Sequence, residues 1–130
     1  YREGHPEIQF ALDIEAQLPE LNLDRQQIKQ ALINLLDNAV AAIRNQGQIT
    51  ITVIHDEILK LVRLEVADDG SGITDEDKSR LFEPNFSTKK SGMGLGLTIV
   101  NSIITDHNGV IRVQDNQPRG AKFVIELPTT

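Results

Sequence analysis

The chain has 130 residues, 39% of them hydrophobic and 25% charged, and a formal net charge of −6. That is the length of one domain with one real core and the composition of a soluble globular protein, while the negative balance argues against a nucleic-acid partner, which needs a basic footprint. Cysteine is absent, which excludes disulfides and thiolate metal sites and is compatible with the cytosol, and no apolar run approaches the roughly 18 residues of a membrane span.

The polar start, Tyr1 to Pro6, is not a signal peptide. It begins without Met, as a piece cut from a longer protein would. Ile8, Phe10, Leu12 and Ile14 then alternate with Gln9, Asp13 and Glu15, the pattern of a half-buried strand. After Pro19, Asp24 is placed as a helix N-cap with Gln27 as its capping-box partner, and Leu23 and Ile28 stand as a hydrophobic staple. Ile28, Leu32, Leu35, Leu36, Ala39 and Ile43 recur at helical spacing and predict a long helix over about 25–44. Ile49, Ile51 and Val53, then Val62, Leu64 and Val66, predict a hairpin. Thr74 caps a short helix through Leu81. Residues 84–94 lack periodicity and read as a mobile loop. Leu95, Ile99, Val100, Ile103 and Ile104 form another amphipathic stretch, stopped near Asn108-Gly109. Val110 to Val113 and Phe123, Ile125 and Leu127 are two closing strands about the Gln117-Pro118-Arg119-Gly120 turn. The sum is an α+β fold: one mostly antiparallel sheet with helices on one face, without the regular alternation of a doubly wound fold.

Three segments carry chemistry. Asn34 and Asn38 lie one turn apart and share a helix face, placed by the wheel away from the Leu32/Leu36/Ala39/Ile43 stripe. Alone, the pair reads most simply as exposed polar residues. Yet Asn favours caps and turns over helix interiors, and its amide oxygen is a hard neutral ligand that holds Mg²⁺ while leaving the ion's charge to phosphates. Asp68 ends an apolar strand. An ionised carboxylate only accepts hydrogen bonds, so it suits the exocyclic amine of adenine and repels the carbonyl of guanine. Gly70 and Gly72 let the backbone turn and approach a ring; a plain surface turn is the competing reading, as is a calcium loop, which fails on ligand spacing. Asp69 reads as a solvated charge. Gly92, Gly94 and Gly96 follow a basic polar loop (Ser87, Thr88, Lys89, Lys90, Ser91) and open a helix, where free N–H groups favour phosphate. Neither a Rossmann nor a Walker spacing is present.

Taken together these segments resemble the catalytic ATP-binding domain of bacterial sensor histidine kinases, in the superfamily that includes gyrase, the heat-shock ATPase and the mismatch-repair ATPase. Asn34-Leu35-Leu36-Asp37-Asn38-Ala39 is similar to the N box, Asp68-Asp69-Gly70-Ser71-Gly72-Ile73 to the first glycine box, Leu81-Phe82-Glu83-Pro84-Asn85-Phe86-Ser87-Thr88-Lys89 to the F box, and Gly92-Met93-Gly94-Leu95-Gly96-Leu97 to the second glycine box. His107-Asn108-Gly109 and the ending Leu127-Pro128 extend the likeness over nearly the whole chain. The F box and Ala41-Ala42-Ile43 look most like the nitrogen-regulation class.

The resemblance implies a two-layer α/β sandwich of the Bergerat (GHKL) type, with a mixed, mostly antiparallel sheet, three main helices on one face and an ATP lid over about 84–94, all in one domain over 1–130. It implies that Asp68 reads adenine, that Asn38 ligates Mg²⁺ with Asn34 beside it, and that Lys89 and the N–H groups of Gly94 and Gly96 meet the phosphates. Gly70, Gly72, Ile73, Phe86, Thr88, Gly92, Leu95 and Leu97 complete the implied ATP-contacting set. The implied reaction is transfer of the γ-phosphoryl group of Mg-ATP to a histidine of a separate helical phosphoacceptor and dimerisation domain, upstream of a response regulator, in the bacterial cytoplasm. No nucleic acid and no membrane contact by this fragment is implied, whatever anchors the parent.

Two departures stand out. Ala41 replaces a basic residue common in the family, which moves a phosphate contact to Arg44 or removes it. The Gly-Thr pair before the last strand is Gly120-Ala121. Three other functions compete. An ATP hydrolase of this fold, or an anti-sigma-factor-like serine kinase, uses a Glu base where this chain has Asn34. A non-catalytic nucleotide-sensing module is disfavoured by the intact glycine boxes, Asp68 and Asn38.

Overall fold

The computed structural model describes residues 7–83 and 96–129. Its elements run in the order β1 (Glu7–Ile14), α1 (Arg25–Ala41), β2 (Gln46–Asp56), β3 (Leu61–Asp68), α2 (Asp75–Lys78), α3 (Gly96–Asp106), β4 (Val110–Asp115) and β5 (Ala121–Pro128). They build one five-stranded sheet in the order β1-β2-β3-β5-β4. β1 and β2, joined through α1, pair in parallel; the remaining pairs are antiparallel. The fold is therefore the α+β type with a mixed sheet and three helices.

Alternation along the strands decides which face is covered. Ile51, Val66 and Phe123 are successive cross-strand neighbours, as are Val53, Leu64, Ile125 and Ile111. These side chains share a face, and all but Val53 meet the buried stripes of α1 (Ala31, Leu35, Ala39) and α3 (Leu97, Val100, Ile103, Ile104) in one core. The opposite face is polar. Glu126 Oε2 accepts from Arg63 and Oε1 from Arg112 at 2.6 Å, and the pair of guanidiniums, Arg112 above all, holds the Glu126 carboxyl below its ordinary value. Val124 also points to this side yet is buried; its register partners are Glu65 and Arg112, whose long stems suit covering an apolar side chain.

The helix starts form as the sequence predicts. Asp24 Oδ1 accepts from the N–H of Gln27 at 3.1 Å, and Thr74 Oγ1 from the N–H of Asp77 at 3.1 Å, each satisfying a donor that has no partner within its helix. Helix ends fall short of prediction. α1 stops at Ala41 rather than about 44, and α2 at Lys78 rather than Leu81. α3 ends where Asn108 takes φ +62° and Gly109 N–H reaches back to Ile104 O at 2.9 Å, a Schellman-type closure with Asn at the left-handed position. The apolar stripe of α3 is carried by Leu97, while Ile99 is half exposed.

A single imidazole ties the two long helices. The N–H of Asp24 donates to His107 Nε2 at 3.0 Å, and His107 Nδ1 sits 2.7 Å from Ile103 O. Nε2 is thus an acceptor and Nδ1 carries the proton, so the start of α1 is fastened to the end of α3. Truncating the centre of the core by Leu35→Ala, at a side chain with no exposure, is expected to lower the unfolding free energy by about 3 kcal/mol, measured by urea denaturation.

Candidate functional site

Asp68 is the last residue of β3 and is 2% exposed. A buried carboxylate needs donors, and two backbone groups provide them. Gly70 N–H donates to Oδ1 at 2.8 Å and Ala121 N–H to the same oxygen at 3.4 Å. Burial is the stronger influence and raises the Asp68 pKa above 3.8; the two N–H groups oppose it, and neighbouring Asp69 adds to it. Both bonds converge on one oxygen, and among the described residues no protein hydrogen bond is drawn on Oδ2.

The turn after Asp68 is locked to the end of α1. Ser71 N–H donates to Ala42 O at 3.0 Å. A Cβ on Gly70 would lie 2.3 Å from that same carbonyl. The helix end alone thus requires glycine there. Gly72 does supply a turn, at φ +79°. Ile73 packs against the core cluster. This contact brings the last turn of α1, with Asn38, against the turn that follows Asp68.

Asn38 is 7% exposed and belongs to the buried set of α1. The helical wheel puts it well away from the core stripe, and the structure corrects that placement. Its physical reason is that α1 packs against α3 as well as the sheet, so the buried face is wider than one stripe and shifts onto Ala31, Leu35, Asn38 and Ala39. Asn34 is half-buried, and its Oδ1 accepts from Gln30 Nε2 at 3.0 Å. Among the described residues no group of three or more His, Cys, Asp or Glu could hold a metal. The donor set on α1 is amide oxygen, which suits a hard cation that brings most of its own ligands.

Other predicted residues divide clearly. Gly96 is the first residue of α3. Leu97 is 1% exposed in the core, so its side chain supports the helix start. Phe86, Thr88, Lys89, Gly92, Gly94 and Leu95 lie outside the described residues, as does the lid predicted over 84–94. Arg44 follows the end of α1 and is exposed. Asp69 is not a free solvated charge: its Oδ1 accepts from Gln48 N–H at 2.8 Å and braces the start of β2.

Three residues of the β4–β5 turn were missed by sequence reasoning. Asn116 Nδ2 donates to Asp68 O at 2.8 Å, and Arg119 Nε to Gly70 O at 3.1 Å. Gly120 has φ +102°, and a Cβ there would sit 1.9 Å from Asp68 O. Asn, Arg and Gly in a Pro-containing turn carry no local mark that separates them from an ordinary hairpin connection; only the register of β5 against β3 brings them to Asp68.

A two-layer sandwich with a buried acid at a strand end, beside an amide-bearing helix, is compatible with a nucleotide-binding domain. Comparison with known proteins agrees. Residues 23–130 match the family described as histidine kinase-, DNA gyrase B-, and HSP90-like ATPase, and the chain belongs to that family. The sensor histidine kinase ZraS of Escherichia coli O157:H7 is 38% identical over 122 residues, which is 94% of this chain and 26% of that protein. Sporulation kinase A of Bacillus subtilis is 39% identical over 108 residues, 83% of this chain and 18% of that protein. The chain thus spans about a quarter or less of these relatives. Among solved structures, the nucleotide-free catalytic domain of histidine kinase ThkA superposes with a TM-score of 0.83 at 39% identity, covering 95% of this chain and 81% of that one. Full-length ShkA in complex with AMPPNP gives 0.80 at 30% identity, covering 93% and 25%. The family supports ATP binding and a role in two-component signalling.

The buried charge carries a stability consequence. A raised carboxyl pKa in the fold means that stability present below the unfolded value is lost as pH rises through the folded value. Asp68→Asn keeps an oxygen for Gly70 and Ala121 and removes the charge. The nucleotide-free Asp68→Asn variant is expected to melt above the wild type at pH 7, with the gap closing as pH falls toward 3.8, followed by calorimetry across pH.

Proposed function

We propose that this domain binds Mg-ATP and delivers its γ-phosphoryl group to a histidine on a separate helical phosphoacceptor domain, within a two-component system that ends in a response regulator. The observation that carries the reading is Asp68: a 2%-exposed carboxyl at a strand end, anchored through Oδ1. In the charged state, Oδ2 accepts the 6-amino group of adenine and repels a 6-oxo group. Asn38, one turn before the end of α1, would hold Mg²⁺ through its amide oxygen beside the phosphates. Phosphoryl transfer asks the protein mainly for positioning and charge stabilisation; the cation would neutralise phosphate charge.

Lys89, Gly94 and Gly96 are assigned to the phosphates, and Gly70, Gly72, Ile73, Phe86, Thr88, Gly92, Leu95 and Leu97 to the rest of the nucleotide pocket or its support. The F-box wording and Ala41-Ala42-Ile43 support the nitrogen-regulation class. The domain acts in the bacterial cytoplasm, whether or not its parent is anchored in a membrane.

Hydrolysis is the weaker reading because Asn34 stands where a Glu base would be needed. An amide does not take a proton from water at neutral pH, and its oxygen accepts from Gln30. Among the described residues no histidine lies on a helix, where a phosphoacceptor would stand. His55 lies in β2 and the ring of His107 is engaged by Asp24 and Ile103, while His5 lies outside the described residues.

ATP is expected to bind at least about tenfold more tightly than GTP, with Mg²⁺ strengthening ATP binding, by titration calorimetry; equal affinity for the two purines would refute the base-reading role. Asp68→Asn should weaken ATP at least about 30-fold, roughly 2 kcal/mol, and weaken inosine triphosphate less. Asn38→Asp adds negative charge beside the phosphates. It is expected to cut transfer to a phosphoacceptor domain at least about tenfold while adenosine affinity stays within twofold; an equal loss for adenosine would remove Asn38 from the phosphate end.

A further inference from the structure

We propose that Asn116 and Arg119, in the β4–β5 turn, are positioning residues that set the base selectivity of Asp68. This rests on the reading of Asp68 as the group that meets the purine 6-position.

The β3–β5 ladder ends at Ala67 and Lys122. Beyond it the carbonyls of Asp68 and Gly70 have no strand partner on the β5 side, and buried carbonyls need donors. Asn116 Nδ2 serves Asp68 O at 2.8 Å and Arg119 Nε serves Gly70 O at 3.1 Å. The turn that carries both is closed on itself by Asn116 N–H to Gly120 O at 3.0 Å. The next residue, Ala121, supplies one of the two N–H groups on Asp68 Oδ1, at 3.4 Å. Thus one turn holds the backbone on both sides of the Asp68–Gly70 step and also touches the carboxyl itself.

Gly120 packs directly against the Asp68 carbonyl, but beyond it a cavity of about 390 Å³ opens between Ser71–Thr74 and residues 115–120, so the two side-chain bonds add to the Gly120 contact in fixing the spacing on that side. The Ala121 bond is already long, and hydrogen bonds weaken steeply with further displacement. Losing Asn116 or Arg119 lets the turn drift from Asp68, leaves Oδ1 with the Gly70 N–H alone and broadens the direction of Oδ2. The phosphate end of the site, built on α1 and the start of α3, is untouched.

The test compares two nucleotides on the 130-residue chain: ATP, and purine riboside triphosphate, which carries hydrogen at position 6. Asn116→Ala and Arg119→Ala are each expected to weaken ATP about tenfold and to leave purine riboside triphosphate within twofold. Arg119→Lys, which retains a donor, is expected to recover most of the loss. Arg119 is exposed, so its variants test the idea even where Asn116→Ala fails to fold. Equal losses for both nucleotides, or no loss for ATP, would overturn the positioning role while leaving the reading of Asp68 intact. A wild-type chain that binds the two nucleotides equally would overturn the reading of Asp68 itself, and this proposal with it.

Discussion

The proposed recognition of adenine depends on keeping one carboxylate out of water in its charged form. Burial pushes the Asp68 proton affinity up, and a neutral acid would present a donor where an acceptor is needed. Two backbone N–H groups from different parts of the chain counter that pressure: Gly70 lies on the same turn, Ala121 on the neighbouring strand. Neither donor is a side chain, so the balance is set by how β3 and β5 lie together. The sheet register is in this sense part of the recognition chemistry.

That register is itself constrained from the helical layer. Ala42 O takes the N–H of Ser71, and the space against it admits only the hydrogen of Gly70. The end of α1 therefore cannot shift without moving the turn beside Asp68. Since α1 also carries Asn38, the residues proposed to read the base and to serve the phosphate end share one rigid connection. Core residues such as Leu35 and Phe123 support this connection by holding α1 over the sheet.

Much of this was legible in the sequence where the signal is local. Asp24 and Thr74 announce helix starts because a side-chain oxygen three residues ahead of an N–H is a contact the chain makes with itself. Ile49, Val66 and Phe123 fall on the covered face because strand periodicity is also local. The failures are all tertiary. Burial of Asn38 follows from α3 lying against α1, which no wheel of α1 contains. Asp69 looks like a spare charge until β2 is placed beside it. Gly70 reads as a ligand-facing glycine, whereas the obstacle is a carbonyl from residue 42. Asn116 and Arg119 resemble any hairpin turn, and their meaning appears only when β5 is laid against β3. The four boxes were readable as a family resemblance; the bonds that aim them were not.

The histidine clasp between the helices has a mechanical corollary. His107 secures α3 at its C-terminal end to the first residue before α1, whereas Gly96, at the opposite end, opens the helix from within the second glycine box. A rod fastened at one extremity answers a sideways load at the other by pivoting. Tilt of α3 at its N-terminal end is opposed by Leu97, 1% exposed in the core, while the imidazole beside Asp24 holds the other end.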